Sequence, residues 1–268
     1  MIDKLLAFVW RDFVTESSYK LNFLLQLFNL FASLLIFFFL SKLFEGTEIA
    51  PLKPYGGDYF SFIVVGGAFF AYFDAAIQSL TKSIRDGQML GTLEALLVTQ
   101  TEIPVIILAS SLYSLIWATL KMITYLMAGV FLFGMDLSQT NLIGVAIMLL
   151  LTITAFGSFG ILAASFVMVL KKGDPISFVL TNLSRLFGGF YYPISVLPDW
   201  LQIISFLLPV TYVLEGMRLA FLQGYSVAQL LPNIIVLGIF SVVMLPFSIW
   251  VFAKAVQRAK RDGTLTQY

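Results

Sequence analysis

Long apolar stretches alternate with short polar islands along the whole chain. Residues 21–40, 59–80, 105–133, 142–170, 176–192 and 230–253 carry at most one charge each and are dominated by Leu, Ile, Val, Phe and Ala. At ~1.5 Å per residue, about 20 helical residues cross the ~30 Å hydrocarbon core of a bilayer. The pattern therefore predicts six membrane crossings. Residues 193–229 are also apolar, but Pro193, Pro198, Pro209 and Gly224 interrupt them, so neither half offers an unbroken span. They read as re-entrant helical pieces, tolerable in a membrane only where protein buries their backbone. Pro198-Asp199-Trp200 has the form of a helix start, with a proline in the first turn and an acid at the positive end of the dipole. A kink is expected at or near Pro246 in the last crossing.

The polar islands differ in kind. In residues 1–19, Ile2, Leu5, Leu6, Val9 and Phe13 recur at helical spacing while Lys4, Arg11 and Asp12 fall largely opposite, which predicts a helix lying in the interface. An ordinary short tail is the plainer alternative. The run is too short and too acidic for a cleavable signal, so it is expected to remain in the mature chain. Residues 42–58, with Glu45, Glu48, Pro51, Lys53, Pro54 and Gly56-Gly57, read as an irregular loop. Residues 134–141 suffice only for a turn between antiparallel neighbours, and Gly157-Ser-Phe-Gly160 supplies small residues where another helix can approach. The largest island, residues 81–104, splits into an approach, Lys82-Ser-Ile-Arg-Asp-Gly87, and a short helix, Gly91-Thr-Leu-Glu-Ala-Leu-Leu-Val98. Thr92 can cap that helix, Glu94 suits its first turn, and Leu93, Leu96 and Leu97 form an apolar stripe. Such a stripe needs a protein groove or the headgroup layer to cover it.

Composition agrees with the pattern, since 59% of the 268 residues are hydrophobic and 12% charged, beyond what a soluble domain can bury. The net charge of +1 gives no global field toward nucleic acid. Cation position is more informative. Lys4, Arg11, Lys20, Lys82, Arg85, Lys171, Lys172, Lys254, Arg258, Lys260 and Arg261 fall on one side of the six crossings, against Lys42, Lys53 and Arg218 on the other. The positive-inside rule then places both termini and the 81–104 island in the cytoplasm.

Chemistry is sparse. Cysteine and histidine are absent, which removes disulfides, thiolates and the usual general base, and no P-loop, G-x-S-x-G or H-E-x-x-H motif occurs. No enzymatic activity of the chain itself is expected. Three charges lie inside predicted crossings: Asp74, Lys121 and Arg185. Burying them unpaired is costly, so each should face the bundle interior or a wet cavity. Asp74 and Arg185 are candidates for a substrate path; alternatively Asp74 pairs with Lys121 and only holds the bundle. Glu215 and Arg218, three apart on one helical piece, read as a local ion pair. Most of the 27 phenylalanines suit lipid or helix packing. The group containing Phe187 and Phe190, beside Gly188-Gly189, is a candidate substrate wall.

Gly91-Thr-Leu-Glu-Ala-Leu-Leu-Val-Thr99 between crossings two and three, then Gly188-Gly-Phe-Tyr-Tyr-Pro-Ile-Ser-Val-Leu-Pro-Asp-Trp200, Leu208-Pro-Val-Thr-Tyr212 and Glu215-Gly-Met-Arg218 resemble the ABC-2 family of ABC transporter permeases. The resemblance covers essentially the whole chain. It implies a single all-α integral membrane domain, 1–268, with six transmembrane helices, an N-terminal interfacial helix (1–19), a cytoplasmic coupling segment (81–104) and an external re-entrant segment (193–229) before the last span. Gly91, Thr92, Leu93, Glu94, Ala95, Leu96 and Leu97 would form the coupling helix. Asp74, Arg185, Phe187 and Phe190 would border the path, and Pro193, Pro198, Trp200, Pro209, Tyr212, Glu215 and Arg218 the external gate. The implied partners are two copies of an ABC ATPase subunit, a second or related permease, and membrane lipid, with no nucleic acid. The chain would bind no cofactor, Mg-ATP residing on the ATPase, and the complex would be an exporter in the cell inner membrane. An ion-driven secondary transporter using Asp74, and a scaffold without transport, are the competing classes.

Overall fold

The computed structural model describes residues 2–17, 20–93, 96, 102–170 and 174–261, apart from the side chains of residues 2–5, 12, 15–17, 22 and 23. Helices α1 (Ile2–Ser17) and α2 (Lys20–Lys42) are followed by a 3₁₀ turn (Ala50–Tyr55), then α3 (Tyr59–Met89), α4 (Ile103–Phe133) and α5 (Leu142–Leu170). A short α6 (Pro175–Phe187), a 3₁₀ turn (Ile194–Val196), α7 (Asp199–Leu207), α8 (Pro209–Leu222) and α9 (Leu231–Arg261) complete the order. The described residues contain no strand.

Local chemistry sets the boundaries. The Asp58 carboxylate accepts from the N–H groups of Phe60 and Ser61 at the start of α3, and Asp174 accepts from Ser177 N–H at 3.0 Å with Pro175 at the first position of α6. Gly134, at φ +71°, ends α4 in the left-handed conformation that glycine adopts without strain. In α9 the helix continues through Pro246.

α3 is the axis of the packing. The most apolar 18-residue window of α3 is 78% buried, against 6% for α2 and 11% for α9, because α3 touches α2, α4, α5, α6 and α8. Its approach to α5 depends on one glycine of the predicted pair: a Cβ at Gly160 would stand 2.6 Å from the Ile77 carbonyl, whereas one at Gly157 would meet nothing. α1 packs against α4 and leaves Leu6, Trp10 and Phe13 exposed.

Five described helices are long and apolar enough to cross a membrane, or up to six if the bent α7–α8 pair counts as one, so this is a multi-pass membrane protein. The fifth predicted crossing, 176–192, is shorter than expected. α6 has 13 residues, about 20 Å of helix, because Gly188 and Gly189 end it: a Cβ at Gly188 would strike the Ser184 carbonyl and Val210, and Gly189 sits at φ +80°. α3 and α9, by contrast, overrun their predicted ends at residues 80 and 253. α3 carries the Lys82–Gly87 approach as helix, with Thr81, Ile84 and Gln88 buried, and α9 carries Lys254 to Arg261 as its last two turns. Those extensions enclose a second apolar cluster of Leu80, Ile84, Leu93, Ile106, Ile161, Met168, Phe252 and Val256.

Candidate functional site

The three charges predicted inside crossings meet in one place. Asp74 of α3, Lys121 of α4 and Arg185 of α6 line a single cleft of about 810 Å³, walled on the far side by α2. Phe37, Phe70 and Phe190 supply aromatic surface, with the Phe190 ring 5.0 Å from Phe70 and 6.4 Å from Phe37. Phe187 is not part of this lining. The Arg185 guanidinium lies 5.3 Å over the Phe70 ring, a cation–π contact that holds it while leaving its N–H groups unspent.

Asp74 takes its hydrogen bonds from Gln78 Nε2 at 2.8 Å and from Thr181 Oγ1 at 2.9 Å. The carboxylate is thus fixed between α3 and α6 by neutral donors rather than by Lys121. Sequence reasoning missed Thr181 and Gln78. It also missed the α2 wall, although Gln26, Asn29 and Ser33 stand three and four apart in an otherwise apolar helix and all line the cleft. That polar stripe was a readable signal, and Trp117 Nε1 donates to Gln26 Oε1 at 3.3 Å.

The proposed gate residues belong to the segment that holds a 90° bend between α7 and α8. Pro198 is the N-cap of α7 and Pro209 opens α8. Pro193 precedes the 3₁₀ turn, and Tyr212 Oη donates to the Phe206 carbonyl at 2.9 Å, bracing the bend. Trp200, in the first turn of α7, is 67% exposed. The expected ion pair does not form. Arg218, 2% exposed, gives Nε to the Phe62 carbonyl (3.0 Å), Nη1 to Gly189 (2.7 Å) and Nη2 to Phe190 (2.9 Å), with its guanidinium 3.5 Å over the Phe62 ring. Three backbone acceptors satisfy its fork better than one carboxylate on a neighbouring turn. Glu215 accepts from Asn233 Nδ2 at 3.4 Å instead. Nearby, burial pushes the Tyr55 phenol up, with the Glu215 carboxylate adding to the effect and Arg218 opposing it. Because Arg218 holds the Phe190 carbonyl, the bend and the aromatic wall of the cleft are mechanically joined.

Of the proposed coupling helix, Glu94, Ala95 and Leu97 lie outside the described residues. Gly91 adopts φ +68°, and the Thr92 carbonyl accepts from Leu96 N–H at 3.1 Å, so a helical turn starts at Thr92. Leu93 is 1% exposed within the chain's own cluster. The leucine stripe is therefore covered at that position by α3, α4, α5 and α9, while Met89 and Leu90 stand 66% and 76% exposed just before it.

A family model described as ABC-2 type transporter matches residues 3–222. The inner membrane transport permease YadH of Escherichia coli K12 is 29% identical over 208 residues, spanning 74% of this chain and 75% of that protein. A protein of Cyanophora paradoxa named as a transport permease, ycf38, is 31% identical over 188 residues, 69% of this chain and 63% of its own length.

Proposed function

This chain belongs to the ABC-2 type transporter family, and on that premise we propose that it is the permease subunit of an ATP-driven exporter in the inner membrane, powered by a separate ATPase. The observation that carries the reading is the cleft. A membrane helix bundle keeps three charges in its interior only where they are used or fully paired, and here Asp74, Lys121 and Arg185 converge on one amphipathic hollow. Two permease copies, or two related permeases, with two ATPase subunits would make the working unit. Mg-ATP would bind the ATPase and no cofactor this chain. Both termini and residues 81–104 would face the cytoplasm, as the cation distribution requires, and a sixth crossing would be completed by α6 with the segment after it. The substrate would be of the drug, lipid or lipid-linked glycan class.

In this reading the Gly91 to Leu97 segment is the coupling helix. Leu93, buried in the chain's own cluster, would transmit movement into α3 and α9, and Met89 and Leu90, exposed just before the segment, would meet the ATPase groove with it. The test is Leu90→Asp, scored by co-purification with the ATPase and by ATP-dependent transport in proteoliposomes. Loss of both with normal membrane insertion is the expected result. Retention of both would refute the coupling surface, and transport that collapsed with the ion gradient despite ATP would favour a secondary transporter.

A further inference from the structure

On the side of the polar island, a second pocket of about 400 Å³ lies between α3 and α6. Three of its side chains carry a buried polar atom without a hydrogen-bond partner: the Thr81 hydroxyl, Arg85 Nε and the Ser177 hydroxyl. Thr81 and Ser177 are 3% and 5% exposed. In α4 and α5, Thr119 and Thr152 return their hydroxyls to a carbonyl one turn back. Thr81 does not, and buried donors left unpaired are costly enough that such groups call for an explanation.

The pocket's charges say what it suits. Arg85 Nε–H can only donate, and both hydroxyls can donate. Of the two carboxylates present, Asp174 caps α6 by accepting from Ser177 N–H through Oδ1, and Asp86 is exposed, as is Lys82. The three buried groups without a partner can all donate and so form an oxyanion-binding set, and an arginine with two hydroxyls fits the tetrahedral array of phosphate oxygens.

This pocket and the cleft share a wall. Gln78 and Thr181 line the pocket, Asp74 lines the cleft, and the hydrogen bonds joining Asp74 to both are the layer between them. We infer that the pocket binds the phosphate group of an amphipathic molecule, with Thr81, Arg85 and Ser177 as its ligands, before that molecule passes the Asp74–Thr181 layer into the aromatic-walled cleft. The inference names the substrate class of the proposed transport path and rests on that reading.

The test uses the full chain in phosphatidylcholine nanodiscs, without ATP, titrated with dihexanoyl phosphatidate, dihexanoyl phosphatidylcholine or inorganic phosphate. Phosphatidate should bind saturably, and Arg85→Gln should weaken it about tenfold, a change of ~1.4 kcal/mol. Thr81→Val and Ser177→Ala should each weaken it about threefold to fivefold without lowering the unfolding midpoint, so they decide the matter should Arg85→Gln fail to fold. Equal binding by wild type and all variants, or phosphatidylcholine binding that shows the same losses, would overturn the site. Inorganic phosphate competing as tightly as phosphatidate would overturn the amphiphile. A chain that binds phosphatidate here yet moves no amphiphile with its ATPase would sink the transport reading and leave the site standing.

Discussion

Arg218 and Arg185 belong to the same apolar bundle and are treated by it in opposite ways. Arg218 is buried at 2% exposure, with its fork spent on three backbone carbonyls and its plane against Phe62. Arg185 stands exposed in the cleft, held by the face of Phe70. A guanidinium whose three nitrogens each donate to the chain's own backbone is architecture, because any change of partner would cost several hydrogen bonds at once. One that keeps its donors toward a cavity is available to a ligand. Position in a hydrophobic segment does not separate these roles; the partners do.

The sharpest way to break that distinction is Arg218→Met. Three buried carbonyls would lose their donor, and a loss of about 3–5 kcal/mol is expected, read as a large fall in the thermal midpoint of the detergent-solubilised protein. Arg218→Lys should recover little, since an ammonium cannot reproduce the planar fork. A midpoint unchanged by either would place Arg218 with Arg185. Gly66→Ala comes next. Its Cβ would run into the Arg218 guanidinium, so about 1–3 kcal/mol should be lost by crowding, and combining it with Arg218→Met should give much less than the sum of the two.

On the other side of the comparison, Arg185→Gln should leave the midpoint within about 0.5 kcal/mol while ATP-driven flux falls about tenfold, equivalent to ~1.4 kcal/mol. The smallest structural effect is expected for Asp74→Asn, whose Oδ1 can still accept from Thr181. Expression and midpoint should hold and flux should drop severalfold. If folded protein disappeared from the membrane instead, Asp74 would be a structural tie like Arg218.

Much of this architecture was legible because hydrophobic span length is a property of local sequence. The α2, α4 and α5 segments fell within about two residues of their predicted limits, and the break at Leu208 followed from Pro209. The overruns of α3 and α9 were not legible, since Lys82 and Lys254 look like the end of a span while Thr81, Ile84, Val256 and Ala259 are buried by neighbours distant in sequence. Leu93 shows the same limit: an apolar stripe announces that something covers it without saying what.

The sequence by itself determined that the chain crosses a membrane, that three charges must be accommodated within its spans, and which family motifs it carries. These follow from transfer energetics and local composition, which need no partner to evaluate. Only the tertiary structure decided that Asp74 is held by Thr181, that Arg218 staples Phe62 to the Gly189–Phe190 backbone, and that Lys121 and Arg185 share Asp74's cleft. Hydrogen bonding is short-ranged and directional, so its partners are fixed only when α3, α6 and α8 have packed.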